Sequence, residues 1–314
     1  MIVDAGEQSV RLPDFLIVGA ARSGTTTLYY YLRQHSRVFM PDLKEPFFLT
    51  FLGEKPPYSE LGFLRERTWT LEDYAELFAR AREDQIAGEA STSYLYFPER
   101  TIAHIKRLYG DRATELRIIA ILRNPADRTF SNYLLLRSNG WDDLTFDQFL
   151  DRDFTRSRLS KRWDYDYVGL GSYYAAVRAY LESFPHARIH LYEDLRDPQL
   201  LLDDLFAFLG VEPLTGPPIT LRSNPAGVPR STAAAGLLDL TARIASPLSR
   251  VLPDRARIRM ASWRESVRAR LLDRPTLSPE NRLKLIEIFR DDIERLQGLL
   301  KRDLSSWLTT GNGP

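Results

Sequence analysis

Residues 15–27 read FLIVGAARSGTTT, and this segment indicates the architecture of the whole chain. Phe15–Gly19 is a short, continuously apolar run, which is typical of a parallel strand buried on both faces. A turn of small residues follows, and we predict a helix over Thr25–Gln34. Gly19 and Gly24 are separated by four residues, as in a phosphate-binding loop between a strand and a helix. Backbone N–H groups at the start of such a helix point towards an anion, so the segment predicts a phosphate site.

The loop lacks the lysine that reaches the β- and γ-phosphates of a nucleoside triphosphate. Thr25 stands at that position, and Arg22 is the nearest cation. A triphosphate is therefore a less natural ligand than a nucleotide with a single phosphate at this point. We assign phosphate binding here to Arg22, Ser23, Gly24, Thr25, Thr26 and Thr27.

A second apolar strand, predicted over Leu116–Leu122, is followed directly by Arg123. A magnesium-dependent NTPase usually has an aspartate at the end of such a strand. The carboxyl ends of strands in an open parallel sheet are where ligands bind. The two strand ends thus predict a nucleotide with anionic groups at two separate places and no metal ligand.

Strand-like and helix-like segments alternate along the chain. We predict an α/β fold with a P-loop-like central parallel sheet flanked by helices, followed by a largely helical C-terminal region. The expected organisation is a single domain over residues 1–314, with a core at about 13–210 and a closing loop and helical part at about 211–310. Residues 210–229, rich in Pro and Gly, are the best candidate for a boundary or mobile loop. Further helices are predicted over 71–82, 100–109, 126–139, 173–184, 199–209 and 279–300, and a further strand over 188–192; residues 231–249 are rich in Ala and Leu.

Composition excludes several classes of function. The chain has 314 residues, no Cys and a formal net charge of +1. Disulfides and cysteine-based metal sites are therefore ruled out, and the four His residues have no zinc-site spacing. The near-zero charge argues against a generic nucleic-acid or membrane binder. No basic signal-peptide region and no apolar run of membrane-spanning length is present, so we expect a cytoplasmic protein without a membrane span. Its oligomeric state cannot be read from the sequence.

Two motifs in order resemble those of the sulfotransferases that use 3′-phosphoadenosine 5′-phosphosulfate (PAPS). Residues 19–27 look like the 5′-phosphosulfate loop of that family, and RNPADRTFS (123–131) looks like its 3′-phosphate motif, R-[ND]-P-x-x-R-x-x-S. The similarity is closest to the bacterial and heparan-type (carbohydrate) branch. Three further segments agree: KEPFF (44–48), GEASTSY (88–94) and GLGSYY (169–174).

The resemblance implies that PAPS is the donor, that adenosine 3′,5′-bisphosphate is the product and that no metal is needed. Arg22 and its loop would hold the 5′-phosphate, and Arg123 and Ser131 would hold the 3′-phosphate. The catalytic carboxylate of the heparan-type branch falls at Glu45, as general base. The family usually has Lys where this chain has Arg22; since Arg stays protonated, Arg22 is expected to stabilise charge rather than donate a proton. Arg230 falls in the region of a late basic loop that covers the nucleotide.

Several alternatives remain open at this level. Glu45 and Lys44 are also compatible with a surface ion pair, His35 is a second candidate base, and Glu89 could support the site. The acceptor, a small-molecule, carbohydrate or lipid-like hydroxyl or amine, cannot be read, although Trp141, Trp163, Tyr165 and Tyr167 are candidates to line its cleft. Tyr173 and Tyr174 are candidates to stack on adenine, with core packing equally compatible. A P-loop kinase and a noncatalytic nucleotide sensor are the rival functions.

Overall fold

The computed structural model describes residues 1–5, 8–54, 69–138, 143–214 and 275–311, together with some positions between 216 and 273. A five-stranded sheet in the order β4-β5-β3-β6-β7 forms its centre, and every neighbouring pair is parallel. The predicted α/β class is thereby confirmed. The strands are β1 (Ile2–Ala5), β2 (Gln8–Arg11), β3 (Phe15–Gly19), β4 (Val38–Phe39), β5 (Ile86–Ala90), β6 (Arg117–Leu122), β7 (Ala187–Leu191), β8 (Val228–Pro229) and β9 (Leu272–Asp273).

Helices cover both faces of the sheet. They are α1 (Thr25–Leu32), α2 (Phe48–Phe51), α3 (Leu71–Glu76), α4 (Ser93–Tyr96), α5 (Pro98–Tyr109), α6 (Pro125–Ser138), α7 (Phe146–Leu150), α8 (Arg152–Arg158), α9 (Tyr167–Gly171), α10 (Tyr174–Ser183), α11 (Pro198–Leu209) and α12 (Pro279–Leu300). Among the helices that the structure describes, none combines the length and the apolar character of a bilayer-spanning segment.

The strand β3 feeds two separate cores, because successive side chains of a strand point to opposite faces. Leu16 and Val18 pack in the larger core with residues of α5, α10 and α12. Phe15 and Ile17 pack in the other core with residues of α1 and α11. All five residues of β3 are buried, as the uninterrupted apolar run predicts. The loop that follows β3 is thus held by a rigid strand.

The C-terminal helix α12 is tied to α6, which follows β6, and to the start of α10. Its Arg282 donates to Asp127 of α6 at 2.6 Å. Its Asp292 accepts the backbone N–H of Tyr173 at 2.7 Å and that of Tyr174 at 3.1 Å, at the start of α10. Phe289 of the same helix is fully buried in the larger core. The helical C-terminal region therefore stabilises the elements that carry the second anion motif.

Most predicted elements agree with the structure to within two residues, but one helix is shorter than expected. The helix predicted over 71–82 ends at Glu76, because Leu77, Phe78 and the next residue bond three residues back rather than four. Phe78 is fully buried, and its ring packs against Tyr74. The hairpin β1–β2 and the short strand β4 were not predicted. Residues 231–249 lie almost entirely outside the described residues, as does half of the loop predicted over 210–229.

Candidate functional site

The segment after β3 forms the phosphate-type loop that its glycine spacing predicts. Ala20 donates its N–H to the carbonyl of Ile121 at 2.8 Å, which ties the loop to β6. Arg22 has a left-handed backbone, with φ of 67°, and Gly24 follows at φ 99° as the N-cap residue of α1. A Cβ at Gly24 would lie 2.7 Å from the Leu195 side chain, so only glycine fits there. Helix α1 has no side-chain cap and no acidic residue in its first turn, which leaves its N-terminal dipole available to an anion.

The second motif meets this loop directly. Arg22 donates from Nε to Ser131 Oγ at 3.1 Å, across 109 residues of sequence. Arg123 donates from a terminal nitrogen to the carbonyl of Arg22 at 3.2 Å. Its guanidinium also lies over the ring of Tyr192, 4.6 Å from the ring centre. The two predicted anion sites are therefore adjacent parts of one surface.

The donor groups at this junction suit a ligand with two phosphates. In the described part of the chain, Arg123 has no carboxylate partner, so its charge is not neutralised by an ion pair. Thr25, Thr27 and Ser131 are buried hydroxyl residues, and Thr26 is half-buried. Guanidinium, hydroxyl and backbone N–H groups are phosphate ligands. Among the described residues, no cluster of three or more His, Asp or Glu could hold a metal ion.

Glu45 lies at the carboxyl end of β5, beside the loop. Its backbone N–H donates to the carbonyl of Ala90 at 3.0 Å, and its own φ is 60°. Its carboxylate accepts from Lys44 at 2.7 Å and from the Thr92 hydroxyl at 3.2 Å. The side chain is 25% exposed. The ion pair with Lys44 considered from the sequence is present, and it lies at the site rather than on a remote surface.

Two cavities adjoin these residues. The smaller is bordered by Ala20, Thr92 and Tyr173, so it links the loop to the surroundings of Glu45. The larger has a volume of about 350 Å³ and shares Gly169 with the smaller. Its lining includes Arg152, Arg156, Leu159, Asp166 and Tyr167. The larger cavity has room for a small ligand and meets the smaller one, which borders the loop, at Gly169.

Glu89 is the most deeply buried carboxylate near the site. It is 0% exposed at the end of β5 and accepts hydrogen bonds from three hydroxyl groups. Burial raises its pKa to about 7, against the opposing effect of hydrogen bonds from Tyr94, Ser91 and Tyr74, while the nearby charge of Glu45 adds to the increase. Glu89 therefore titrates near neutral pH in the folded protein.

Of the aromatic residues predicted to line the acceptor cleft, some lie in the core and others near the site. Trp163 packs edge-on against Phe47 at 5.4 Å between ring centres and thus supports the segment that carries Glu45. Tyr165 is 1% exposed and belongs to the core. Tyr167 lines the larger cavity, although little of its side chain is exposed. Trp141 lies outside the described residues.

The histidines lie away from the loop. His35 is at the opposite end of α1, buried against Phe206, and accepts the backbone N–H of Arg37 at 3.1 Å. His35 therefore lies just past the C-terminal end of α1, where its backbone N–H donates to the carbonyl of Leu32 at 3.1 Å, and this placement gives no support to its alternative role as a base. His104 is half-buried on α5, with Nδ1 2.9 Å from the carbonyl of Leu49.

Other predicted residues have partners that the sequence does not reveal. Arg230 is exposed and pairs with Asp273 at 3.0 Å, while β8 just before it packs against α6. Tyr173 is buried and donates to the carbonyl of Arg123 at 2.9 Å, so it positions that arginine and presents no open ring face. Tyr174 lies between Arg178 and Arg295.

For two residues that contact the site, Tyr192 and Trp307, no role was predicted from the sequence. Tyr192 follows β7 directly, and the Arg123 guanidinium lies over its ring. Its position, an aromatic residue at the end of a predicted strand, was the one sequence feature that could have indicated this role. Trp307 donates to Glu193 at 3.0 Å, and its ring packs on Tyr173 at 6.5 Å between centres. No local pattern links Trp307 to a motif nearly 200 positions earlier.

Comparison with known proteins gives a consistent result. The model of the sulfotransferase family matches residues 13–215. Human heparan sulfate glucosamine 3-O-sulfotransferase 3B1 is 25% identical over 181 residues, covering 58% of this chain and 41% of that protein. Human bifunctional heparan sulfate N-deacetylase/N-sulfotransferase 2 is 25% identical over 224 residues, covering 68% of this chain and 23% of that protein. The chain thus spans less than half the length of these two curated relatives.

A similar solved structure covers nearly the whole chain. The crystal structure of a sulfotransferase from Alicyclobacillus acidocaldarius superimposes with a TM-score of 0.72 at 27% sequence identity. The match covers 96% of this chain and 100% of that one. The likeness therefore extends beyond the family segment into the C-terminal region.

Proposed function

Because the chain belongs to the sulfotransferase family and is therefore an enzyme, we propose that it moves the sulfuryl group of PAPS to a sugar hydroxyl or amine. The observation that carries this proposal is the contact between the two anion motifs, where Arg22 Nε lies 3.1 Å from Ser131 Oγ. A single doubly phosphorylated nucleotide can span such a junction. An ordinary mononucleotide would leave one of the two motifs unused.

In this proposal the loop and the second motif hold opposite ends of the donor. Arg22, Ser23, Gly24 and Thr25–Thr27 bind the 5′-phosphate with side chains and backbone N–H groups. Arg123 and Ser131 bind the 3′-phosphate, where the fork of the guanidinium suits bidentate contact. Tyr192 restricts the Arg123 side chain from one face. Arg and Thr stand where a magnesium-dependent NTPase has Asp and Lys, which supports a reaction without a metal ion.

The chemistry requires proton removal and charge stabilisation. The acceptor oxygen or nitrogen forms a bond to sulfur while the bond from sulfur to the 5′-phosphate oxygen breaks. Glu45 takes the acceptor proton as general base and later releases it to solvent. Arg22 and the N-terminus of α1 stabilise the negative charge that develops on the leaving oxygen. Lys44, 2.7 Å from the Glu45 carboxylate, holds that carboxylate in place before the acceptor binds.

The proposed acceptor class is a carbohydrate. The two curated relatives are named for heparan sulfate, which supports a sugar acceptor. The cavity of about 350 Å³, which meets the loop-bordering cavity at Gly169, has two arginines in its lining, Arg152 and Arg156. Cations at that position suit a saccharide that already carries carboxylate or sulfate groups.

The donor is tested by calorimetry with adenosine 3′,5′-bisphosphate, ADP and ATP, each with and without Mg²⁺. We expect tight binding of the bisphosphate that does not depend on Mg²⁺, and at least about tenfold weaker binding of ADP, which lacks the 3′-phosphate. Magnesium-dependent binding of ATP in preference to the bisphosphate would instead favour the kinase.

The role of Glu45 is tested with Glu45→Gln, using transfer from radiolabelled PAPS to heparan sulfate. We expect kcat to fall by about 100-fold or more, because a positioned general base typically contributes that much. The dissociation constant of the bisphosphate should stay within about twofold. Glu54→Gln is the matched control, since Glu54 is an exposed acid after α2 that pairs with Arg100. Unchanged turnover in Glu45→Gln would remove Glu45 as the base, and a wild-type protein that binds nucleotide without transfer would favour the sensor.

A further inference from the structure

The buried carboxylate of Glu89 has no part in the mechanism above. It lies at the end of β5, fully buried, and all of its hydrogen-bond donors are hydroxyl groups. Ser91 donates to Oε2 at 2.9 Å. Tyr74 donates to Oε1 at 3.1 Å, and Tyr94 donates to the same oxygen. Among the described residues, Glu89 has no salt-bridge partner. Burying an ionisable group without such a partner is costly, which points to a function for it.

Two of the three hydroxyl groups connect Glu89 to the segment that carries Glu45. The Ser91 hydroxyl accepts the backbone N–H of Phe47 at 3.2 Å. The Tyr94 hydroxyl accepts the backbone N–H of Leu49 at 3.3 Å. Each hydroxyl therefore accepts from the segment and donates to Glu89. In its ionised form, which prevails at pH 8.5, the Glu89 carboxylate only accepts, so it sets the direction of both relays.

Residues 44–52, the segment that carries Glu45, need support from the rest of the fold. Three of its non-glycine residues, Glu45, Phe47 and Leu52, have left-handed backbones, with φ of 60°, 58° and 45°. Conformations of this kind cost free energy and persist only where the surroundings impose them. The helix α2 within the segment has four residues, too few to be stable alone.

The two sequence motifs are thus parts of one assembly. Of the 88–94 motif, Glu89, Ser91 and Tyr94 form the relays, and Thr92 donates to Glu45 Oε2 at 3.2 Å. Ala90 accepts the backbone N–H of Glu45 at 3.0 Å. One short stretch, residues 89–94, which begins in β5, therefore fixes residues 45–49 at their backbone and at the Glu45 carboxylate.

We propose that Glu89 is a positioning residue, whose carboxylate holds Glu45 in its reactive placement through the Ser91 and Tyr94 hydroxyl relays to the backbone of Phe47 and Leu49. The part of this inference that makes Glu45 the catalytic base rests on the proposed function. The anchoring of the segment does not depend on it.

Three variants separate this role from general support of the core. Ser91→Ala removes one relay, and Glu89→Gln replaces an oxygen that only accepts with an NH₂ group that donates, which conflicts with the Ser91 hydroxyl. Tyr74→Phe is the matched control: it removes a hydrogen bond to the same carboxylate oxygen, keeps the ring that stacks on Phe48, and leaves both relays intact.

The first measurement is amide hydrogen exchange of Phe47 and Leu49 at a single pH in all proteins. We expect exchange at Phe47 to be at least about tenfold faster in Ser91→Ala and in Glu89→Gln. In Tyr74→Phe both amides should exchange within about twofold of wild type. Equal exchange in Ser91→Ala and wild type, or equal acceleration in Tyr74→Phe, overturns the relay.

The second measurement is kcat for transfer to heparan sulfate at pH 8.5, beside the dissociation constant of adenosine 3′,5′-bisphosphate. We expect kcat to fall about tenfold or more in Ser91→Ala and Glu89→Gln, with bisphosphate affinity within about twofold, and Tyr74→Phe close to wild type. Accelerated exchange with unchanged kcat overturns the positioning of the base. If wild type transfers no sulfuryl group, the proposed function fails, while the exchange data still decide whether Glu89 anchors the segment.

Discussion

The buried carboxylate of Glu89 should leave a measurable signature in folding stability. In the folded protein its pKa is raised to about 7 from an ordinary value of 4.5, chiefly by burial. The folded state therefore binds a proton more strongly than the unfolded chain between these two pH values. Since stability falls with rising pH wherever the folded state holds more protons, Glu89 favours folding most below pH 4.5 and loses that contribution as pH rises to 7.

The size of the effect follows from the two pKa values. At about 1.4 kcal/mol per pH unit, the interval between 4.5 and about 7 corresponds to about 3 kcal/mol of unfolding free energy. Native proteins are typically stable by about 5–15 kcal/mol, so this effect is a large fraction of the total stability. The Glu89→Gln variant cannot titrate at this position and should lack the effect.

The assay is urea denaturation of wild type and Glu89→Gln, monitored by tryptophan fluorescence, between pH 4 and 8.5. Other titrating groups, such as Asp194 with its lowered pKa, act in both proteins and cancel in the difference. We expect the stability of the variant relative to wild type to increase by about 3 kcal/mol across the range, mostly between pH 4.5 and 7. A constant difference at every pH would refute the raised pKa, whatever the absolute stabilities.

Two further substitutions test the packing that holds the site. Gly88→Ala places a Cβ 2.1 Å from the Phe15 ring, and we expect the unfolding free energy to fall by about 3 kcal/mol or folding to fail. The control is Gly298→Ala, at an exposed position of α12 with open space around it. In the same denaturation assay the control should raise the unfolding free energy by up to about 1 kcal/mol. Arg282→Ala breaks the 2.6 Å pair between the buried Arg282 and the partly exposed Asp127, and we expect a loss of about 2 to 3 kcal/mol together with weaker bisphosphate binding, because α6 carries Ser131. Full stability in either buried-site variant would contradict the reasoning.

Local sequence patterns were sufficient to predict β3, the loop after it and α1. The apolar run of β3, the spacing of Gly19 and Gly24 and the arginine after β6 are each read within a dozen residues. Parallel strands bring their carboxyl ends to one edge, so the adjacency of the two anion motifs followed from topology. The contact of Arg22 with Ser131 agrees with that expectation.

The supporting contacts were beyond sequence reasoning. Tyr173 is buried beneath Arg123, and Arg230 pairs with Asp273; neither partner is marked by a motif. The relays from Glu89 depend on the Ser91 and Tyr94 hydroxyl groups, each of which contacts both this carboxylate and a backbone N–H more than 40 residues away in sequence.

By itself, the sequence determined the class of fold and the two segments proposed to bind the donor's phosphates, because strand burial, glycine spacing and helix N-termini are properties of short stretches of chain. Only the tertiary structure decided how Glu45 is held, what Glu89 touches and which aromatic residues pack against the arginines. The physical reason is that hydrogen bonds and packing between distant segments depend on separations of a few ångströms, and these are set only when the whole sheet and its helices are assembled.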